Sequence, residues 1–335
     1  MKVTRAMIAK EAGVTPTTVT CVLNNTRQVS DRVRKKVMDA IDKLNYVPDV
    51  AARAMQGKGS KQICIMVDSI KNPFFAELVY SIEAEGIKKG FFFSICGKMD
   101  LKTYVAHIIA RKIDAVYFCS EILSDEVKYI SQLLDNGIKV LTSPKFKHFE
   151  GKISLIDMAT GEAVKNAVKY LYKKGHRNIA FINTFNENSA LDDRLPSYKQ
   201  ITKELNIPAI YSSPEGDLAA NIDNGKMLFN QLIDQHSDIS AVIGINDLVA
   251  IGAMKQAEES GYKVPEDISF IGIDGIELSA LVAPPLTTFK SDAETLGKKA
   301  FQMLYDMIEN DNITSYNHSL TLVERQSVAN KTNKN

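Results

Sequence analysis

An all-α helix-turn-helix head followed by a larger α/β body with parallel sheets is the fold that this sequence predicts. Two patterns predict it: three short capped helices within the first 47 residues, and beyond residue 60 a regular alternation of apolar strand-like runs with amphipathic helices. The length points the same way, because 335 residues exceed what one core organises and ask for two or three domains. A hydrophobic content of 45% and a charged content of 24% are those of a globular chain, and no apolar run is long enough to span a membrane.

The head is built helix by helix. Thr4 is placed to cap a first helix running through Ala12, on which Ile8, Ala9 and Ala12 form the inner face, and Gly13 ends it. Thr15 caps a second helix whose first position, Pro16, suits proline's fixed φ and missing N–H. On that helix Val19, Val22 and Leu23 face inward, leaving Pro16, Thr17, Thr18, Thr20, Cys21 and Asn24 to look outward. Ser30 opens a third, in which Val33, Val37, Ala40, Ile41 and Leu44 recur at helical spacing. Two helices joined by a tight AGV turn and closed by a third form a helix-turn-helix unit, which lays its second helix in the DNA major groove. Short hydroxyls and amides suit such a helix because they donate to phosphate oxygens and let the backbone approach closely. Charge agrees: residues 1–60 carry eleven Lys/Arg against five Asp/Glu, a net of +6, and the remainder of the chain carries −5. A basic head on a mildly acidic body meets a polyanion.

In the body, the expected strands are Ile63–Val67, Phe91–Ile95, Ala115–Cys119, Ile179–Asn183, Ala241–Ile245 and Ile268–Ile273, with helices such as Phe74–Lys89 and Asp247–Ser260 between them. Their alternation implies parallel sheets covered by helices on both faces. Ligands of such sheets bind beyond the carboxyl ends of the strands. The candidate contacts are therefore Asn72, Phe74 and Phe75 after the first strand, Asn246 and Asp247 after a later one, and Asp274 after the strand ending at Ile273. Asp247 is equally placed to cap the helix that follows it.

Other chemistries find little support. The four cysteines, Cys21, Cys64, Cys96 and Cys119, lie far apart with no C-x-x-C pair, which argues against a zinc site or a disulfide framework. Cys64, Cys96 and Cys119 fall inside apolar runs and read as small core residues. The five histidines lack metal-ligand spacing, and neither a G-x-S-x-G elbow nor a phosphate-cradling glycine loop is present, so no enzyme, metal or cofactor is expected. The N-terminus runs directly into an amphipathic pattern instead of an apolar signal core, so a cytoplasmic, nucleoid-associated protein is expected.

Longer motifs extend this reading. The stretches AGVTPTTV (12–19), VLN (22–24), NYVP (45–48) and AARAM (51–55) closely resemble the head of the LacI/GalR family of bacterial transcriptional repressors. NPFFAEL (72–78), KGHRNIAF (174–181), INDLVAIGAM (245–254), VPEDISFIGID (264–274) and PPLTTF (284–289) also match, in the family's order along nearly the whole chain. The resemblance implies a headpiece at 1–47, a hinge helix and linker at 48–60, and an effector-binding and dimerisation domain at 61–335. That domain would form two lobes like a periplasmic sugar-binding protein, with crossovers near 160, 290 and 320. The function implied is a homodimeric repressor of a sugar-utilisation operon. It would bind a pseudo-palindromic double-stranded operator under the control of a sugar or sugar derivative held between the lobes. The alternative within the same fold is a global catabolite regulator whose co-effector is a phosphocarrier protein.

Residue roles follow from the resemblance. Pro48 can open the hinge helix, Ala51, Ala52 and Ala54 permit close helix–helix approach, and GKGS (57–60) breaks it. About ten residues are too few for a helix to stand alone in water, so its folding would be coupled to DNA and to the partner chain. Met55 stands where the family commonly has a leucine that wedges into the minor groove. The DNA-facing set is thus Thr4, Arg5, Thr15, Pro16, Thr17, Thr18, Thr20, Cys21, Asn24, Tyr46, Ala52 and Met55. Cys21 departs from the pattern, because the family usually has there an arginine whose fork grips a guanine. A thiol cannot do this, and the loss of one bidentate contact costs roughly 1–3 kcal/mol of discrimination. Arg194, in RLPSY (194–198), stands at the family's R-x-x-G-Y/F effector site and joins Asn72, Phe74, Phe75, Asn246 and Asp274. Ala159 falls where an effector-binding aspartate often stands, with Asp157 two residues away, and Leu218 replaces an aromatic; the chain has no tryptophan. A standard pyranose site is therefore in doubt, and a modified or phosphorylated sugar, a nucleobase or a partner protein all remain open.

Overall fold

The computed structural model describes residues 3–24, 27–47, 59–97, 100–120, 122, 126–146, 149–187 and 192–331. Most of the expected hinge, including Ala52 and Met55, lies outside these residues, as does the side chain of Asn24. The chain divides into two compact units, Met1–Ser60 and Lys61–Asn335.

The head consists of α1 (Arg5–Ala12), α2 (Pro16–Asn24) and α3 (Asp31–Lys43). Thr4 caps α1 by accepting the Met7 N–H at 3.4 Å, and Gly13 closes it in the left-handed region at φ +65°. The Thr15 hydroxyl oxygen accepts the Thr18 N–H at 3.1 Å and so caps α2. Ser30 stands before α3, but its hydroxyl makes no capping bond; its carbonyl accepts the N–H groups of Val33 and Arg34 instead. Ile8, Val19 and Val37 are fully buried at the centre, with Ala9, Ala12, Val22 and Ala40 around them. A Lys43–Glu11 ion pair joins α3 to α1.

The body holds two six-stranded sheets. The first runs in the order β11 (Ser315–Asn317), β5 (Ser154–Asp157), β4 (Lys139–Thr142), β3 (Ala115–Phe118), β1 (Gln62–Val67), β2 (Phe92–Gly97). The second runs β12 (Thr321–Val323), β10 (Thr287–Lys290), β9 (Ser269–Asp274), β8 (Ala241–Gly244), β6 (Ile179–Ile182), β7 (Ile210–Tyr211). Neighbouring strands are parallel except for β10 and β12.

Strand periodicity explains the layering. Ile63, Ile65 and Val67 of β1 point into one cluster with α4 (Pro73–Lys88) and α12 (Ala293–Asn310). Cys64 and Met66 point the other way, into a cluster with α5 (Leu101–Ala110) and α6 (Val127–Asp135). A strand buried on both faces reads as an unbroken apolar run, as QICIMV does. Over the second sheet, α7 (Thr160–Lys173) packs beside α8 (Arg194–Glu204), and α9 (Ile222–Gln235) beside α10 (Asp247–Glu259); the short α11 (Leu278–Leu281) follows β9. The glycines Gly225 and Gly252 bring α9 and α10 to backbone contact: a Cβ on either would run into the carbonyl oxygen of Val249 or Ile222, respectively.

Three segments pass between the sheets: the ones leading from β5 to α7, from β10 to α12 and from β11 to β12. Ser291 and His318, on two of them, meet at 2.9 Å between Oγ and Nε2. Strand pairing also brings Cys64 and Cys96 together, with their Sγ atoms 3.7 Å apart, although 32 residues separate them in sequence.

Candidate functional site

The outward face of α2 carries the expected polar residues, but their hydroxyls are not equivalent. Thr15, Pro16 and Thr17 are exposed, and Thr18, Thr20 and Cys21 are half-buried. The Thr15 and Thr18 hydroxyls lie 2.9 Å apart, and the Thr20 hydroxyl donates to the Pro16 carbonyl at 3.0 Å. In this structure the Thr20 O–H proton is thus engaged within the helix. Thr4 is engaged as the α1 cap, and Tyr46 packs against the head's core. Arg5 is half-buried on the first turn of α1.

In the body, a cleft of about 680 Å³ opens between the two sheets, lined from both lobes by the segments that follow β1 to β8 and by Asp274 at the end of β9. Asn72, Phe74, Phe75, Arg194, Asn246 and Asp274 all line it. Asn72 is buried and has two tasks. Its Oδ1 accepts the Phe74 N–H at 3.1 Å and caps α4, and its Nδ2 donates across the cleft to Asp274 Oδ2 at 3.1 Å. Phe74 and Phe75 pack edge to face at 5.3 Å. Asp274 has φ +117° and is followed by Gly275 at φ +74°, so the carboxylate sits on backbone that L residues rarely adopt. Burial pushes its carboxyl up to about 6, against the opposing pull of the Asn72 hydrogen bond and of the Arg194 charge.

Beneath this floor lies Asp247, fully buried. It does not cap α10, as its position suggested it might do; Asn246 does so by accepting the Val249 N–H at 2.9 Å. Asn246 also donates to the Ala220 carbonyl at 3.2 Å, so both ends of its amide serve the cleft wall. Asp247 instead accepts the Ile276 N–H at 2.9 Å and the Thr288 hydroxyl at 2.5 Å, tying together the ends of β8, β9 and β10. Burial, reinforced by the nearby Asp274 charge, pushes its carboxyl up to about 8.

Arg194 starts α8 and is anchored within its own lobe. Its Nε lies 2.8 Å and 3.1 Å from the two carboxylate oxygens of Asp192, and Nη1 donates to the Ile245 carbonyl at 3.1 Å. Its guanidinium lies 5.5 Å from the centre of the Phe185 ring. A polar contact between the lobes thus joins Asp274 to Asn72, and Arg194 forms an ion pair with Asp192 in its own lobe. Asp157 accepts the N–H of Ala159, which is left-handed at φ +49°, and pairs with Lys145 at 2.7 Å. Lys145, Phe185, Asp192, Asp193 and Asp217 also line the cleft and were not foreseen from the sequence. The run Asp192-Asp193 immediately before Arg194 was the one signal that could have found two of them.

A helix-turn-helix head on a two-lobed α/β body with a polar cleft between its sheets defines a DNA-binding transcription regulator with a small-molecule site. Residues 7–49 match the family described as bacterial regulatory proteins, lacI family, and residues 168–328 match the periplasmic binding protein-like domain. The chain is 31% identical to the HTH-type transcriptional repressor PurR of Vibrio vulnificus (strain CMCP6), over 90% of this chain and 91% of that one. It is 33% identical to the HTH-type transcriptional regulator DegA of Bacillus subtilis (strain 168), over 89% of each. Among solved structures, the lac repressor dimer bound to operator and the anti-inducer ONPF superposes with a TM-score of 0.81 at 25% identity, covering 98% of this chain and 100% of that one. The chain belongs to the lacI family of bacterial regulatory proteins. No helix among the described residues is long and apolar enough to cross a membrane.

Proposed function

We propose that the protein represses a sugar-utilisation operon by binding a pseudo-palindromic operator as a homodimer, and that a sugar or sugar derivative in the cleft sets its operator affinity. The observation that supports this reading is the Asn72–Asp274 hydrogen bond across the cleft, between lobes linked along the chain by three passing segments among the described residues. A ligand that replaces that bond with its own hydroxyls changes the balance between two lobe arrangements. Carboxylates, amides, an arginine fork and phenylalanine faces around about 680 Å³ suit a ring whose hydroxyls both donate and accept.

The homodimer reading is supported by an exposed apolar face. Tyr80 and Ile87 on α4 and Phe92 and Ile95 on the edge strand β2 are all exposed, Tyr80 at 73% and Phe92 at 68%. A dimer paired through such faces carries two heads to an operator in the cytoplasm, at the nucleoid, where Pro16, Thr17, Cys21 and Arg5 read the major groove and Met55 enters the minor groove. The lobes and the heads then form one two-state switch, and reciprocity requires operator DNA to change ligand affinity by the same factor.

Selection of bound duplexes from a random pool by the full-length protein tests the DNA half of the reading, with a two-fold symmetric motif expected. Failure to enrich any motif refutes specific operator binding, and a monomeric mass at concentrations that bind the motif refutes the dimer.

A further inference from the structure

We infer that the cleft selects its ligand by charge, accepting a neutral or amine-bearing polar ring and refusing phosphorylated or carboxylated ones. The inference rests on reading the cleft as the effector site and narrows the class of effector. Seven carboxylates line the cleft against three cations, a formal imbalance of −4 among the described residues. Two of the cations are matched within it, Lys145 by Asp157 at 2.7 Å and Arg194 by Asp192. Lys71, the third, has an exposed side chain on the segment after β1.

A second, separate feature crowds the usual place for a phosphate. In α/β folds anions settle at helix N-termini, where backbone N–H groups are open. Here three of those facing the cleft already hold a side-chain oxygen: Asn72 accepts from Phe74 on α4, Asn246 from Val249 on α10, and Asp192 from the Arg194 N–H on α8. The first turn of α7 has no side-chain cap, but the Asp193 carboxylate stands against it, accepting the Thr160 hydroxyl and lying beside Gly161. The carboxylates of Asp157, Asp193, Asp217 and Asp274 line the cavity beside these ends. Asp193 is half-buried and takes one hydrogen bond, from the Thr160 hydroxyl at 3.1 Å, and Asp274 takes one from Asn72. Carboxylates accept hydrogen bonds from hydroxyls and, more strongly, from ammonium groups, and in a narrow cleft of one sign the field is focused on whatever enters.

The test uses the full-length protein and matched sets of probes: glucose, glucosamine and glucose 6-phosphate; ribose and ribose 5-phosphate; adenosine and adenosine monophosphate. Calorimetric titration reads affinity, and a parallel operator-binding titration reads the effect on DNA. In any set that binds, the phosphorylated member is expected to bind at least tenfold more weakly than its uncharged parent, and glucosamine to bind more tightly than glucose. Asp193→Asn is expected to narrow both gaps. A phosphorylated member that binds as tightly as its parent overturns the charge selection and leaves the effector-cleft reading standing. If no probe in any set binds or changes operator affinity, the effector-cleft reading falls and the selection with it.

Discussion

Replacing Asp247 with Asn is expected to flatten the pH dependence of the body's stability between pH 6 and 8. The carboxyl of Asp247 is pushed up to about 8 by burial and by Asp274, whereas in the unfolded chain it titrates near the ordinary aspartate value of about 4. Between those values the folded state holds a proton that the unfolded state lacks, so stability declines as pH rises through the window. Each pH unit is worth about 1.4 kcal/mol for one such group, so the passage from pH 6 to 8 removes roughly 2–3 kcal/mol through Asp247. An asparagine has no proton to lose. Its amide can donate to the Thr288 hydroxyl while its oxygen keeps the Ile276 N–H. Urea unfolding followed by circular dichroism at pH 6, 7 and 8 measures the effect. The wild-type protein should lose roughly 2–3 kcal/mol more than the variant over that range, whatever the histidines contribute to both. Asp274→Asn serves as a second variant that leaves every Asp247 hydrogen bond in place. It removes the charge that helps raise Asp247 and should shrink the same slope in part. Parallel pH profiles for wild type and Asp247→Asn would refute the assignment of a buried, protonated carboxyl beneath the cleft.

Three further outcomes are expected. Cys21→Arg restores a guanine-gripping fork on α2 and should add a guanine preference, worth roughly 1–3 kcal/mol, to the motif selected from random DNA; an unchanged motif would place Cys21 outside the groove. Gly252→Ala drives a methyl into the Ile222 carbonyl between α9 and α10 and should cost about 1–3 kcal/mol in a melting experiment, and an unchanged melting temperature would show that the two helices can separate freely. The Cys96 thiol is lowered to about 7, chiefly by the hydrogen bond from Cys64, so it should be alkylated by iodoacetamide near neutral pH, and Cys64→Ala should move that reactivity to higher pH; identical pH–rate profiles would break the link between the two sulfurs.

The parts of the fold that could be read in advance are those where local and global demands coincide. The caps at Thr4 and Thr15, Pro16 at the first position of α2 and Gly13 after α1 act through neighbouring residues alone, and each stands where the sequence placed it. The strands β1, β3, β6, β8 and β9 are buried on both faces, and their unbroken apolar runs show this. β4 and β10 went unnoticed because KVLT and TTFK are short and partly polar, and their burial depends on neighbours far along the chain. β11 and β12 lie at sheet edges after a pass between lobes, and nothing local in SYN or TLV announces either.

The candidate site divides along the same line. That Asn72, Asn246 and Asp274 would stand beyond strand ends followed from the order of strands and helices, because the carboxyl ends of parallel strands share one edge. What each does there depends on partners 26 to 202 residues away, and sequence spacing does not reach so far. Asp247 is the clearest case. Its place after β8 and before α10 is that of an ordinary helix cap, and only the return of Ile276 and Thr288 to the same spot turns it into the buried tie under the cleft. Ile276, held there by its N–H, joins Leu248 in the apolar cluster of the opposite lobe. The acid that fixes the floor of one lobe therefore also fixes an apolar contact with the other. On the proposed reading, a ligand pulling on Asp274 would work against a buried acid and a packed isoleucine together, so the cleft would answer by shifting between two arrangements of whole lobes and not by local yielding.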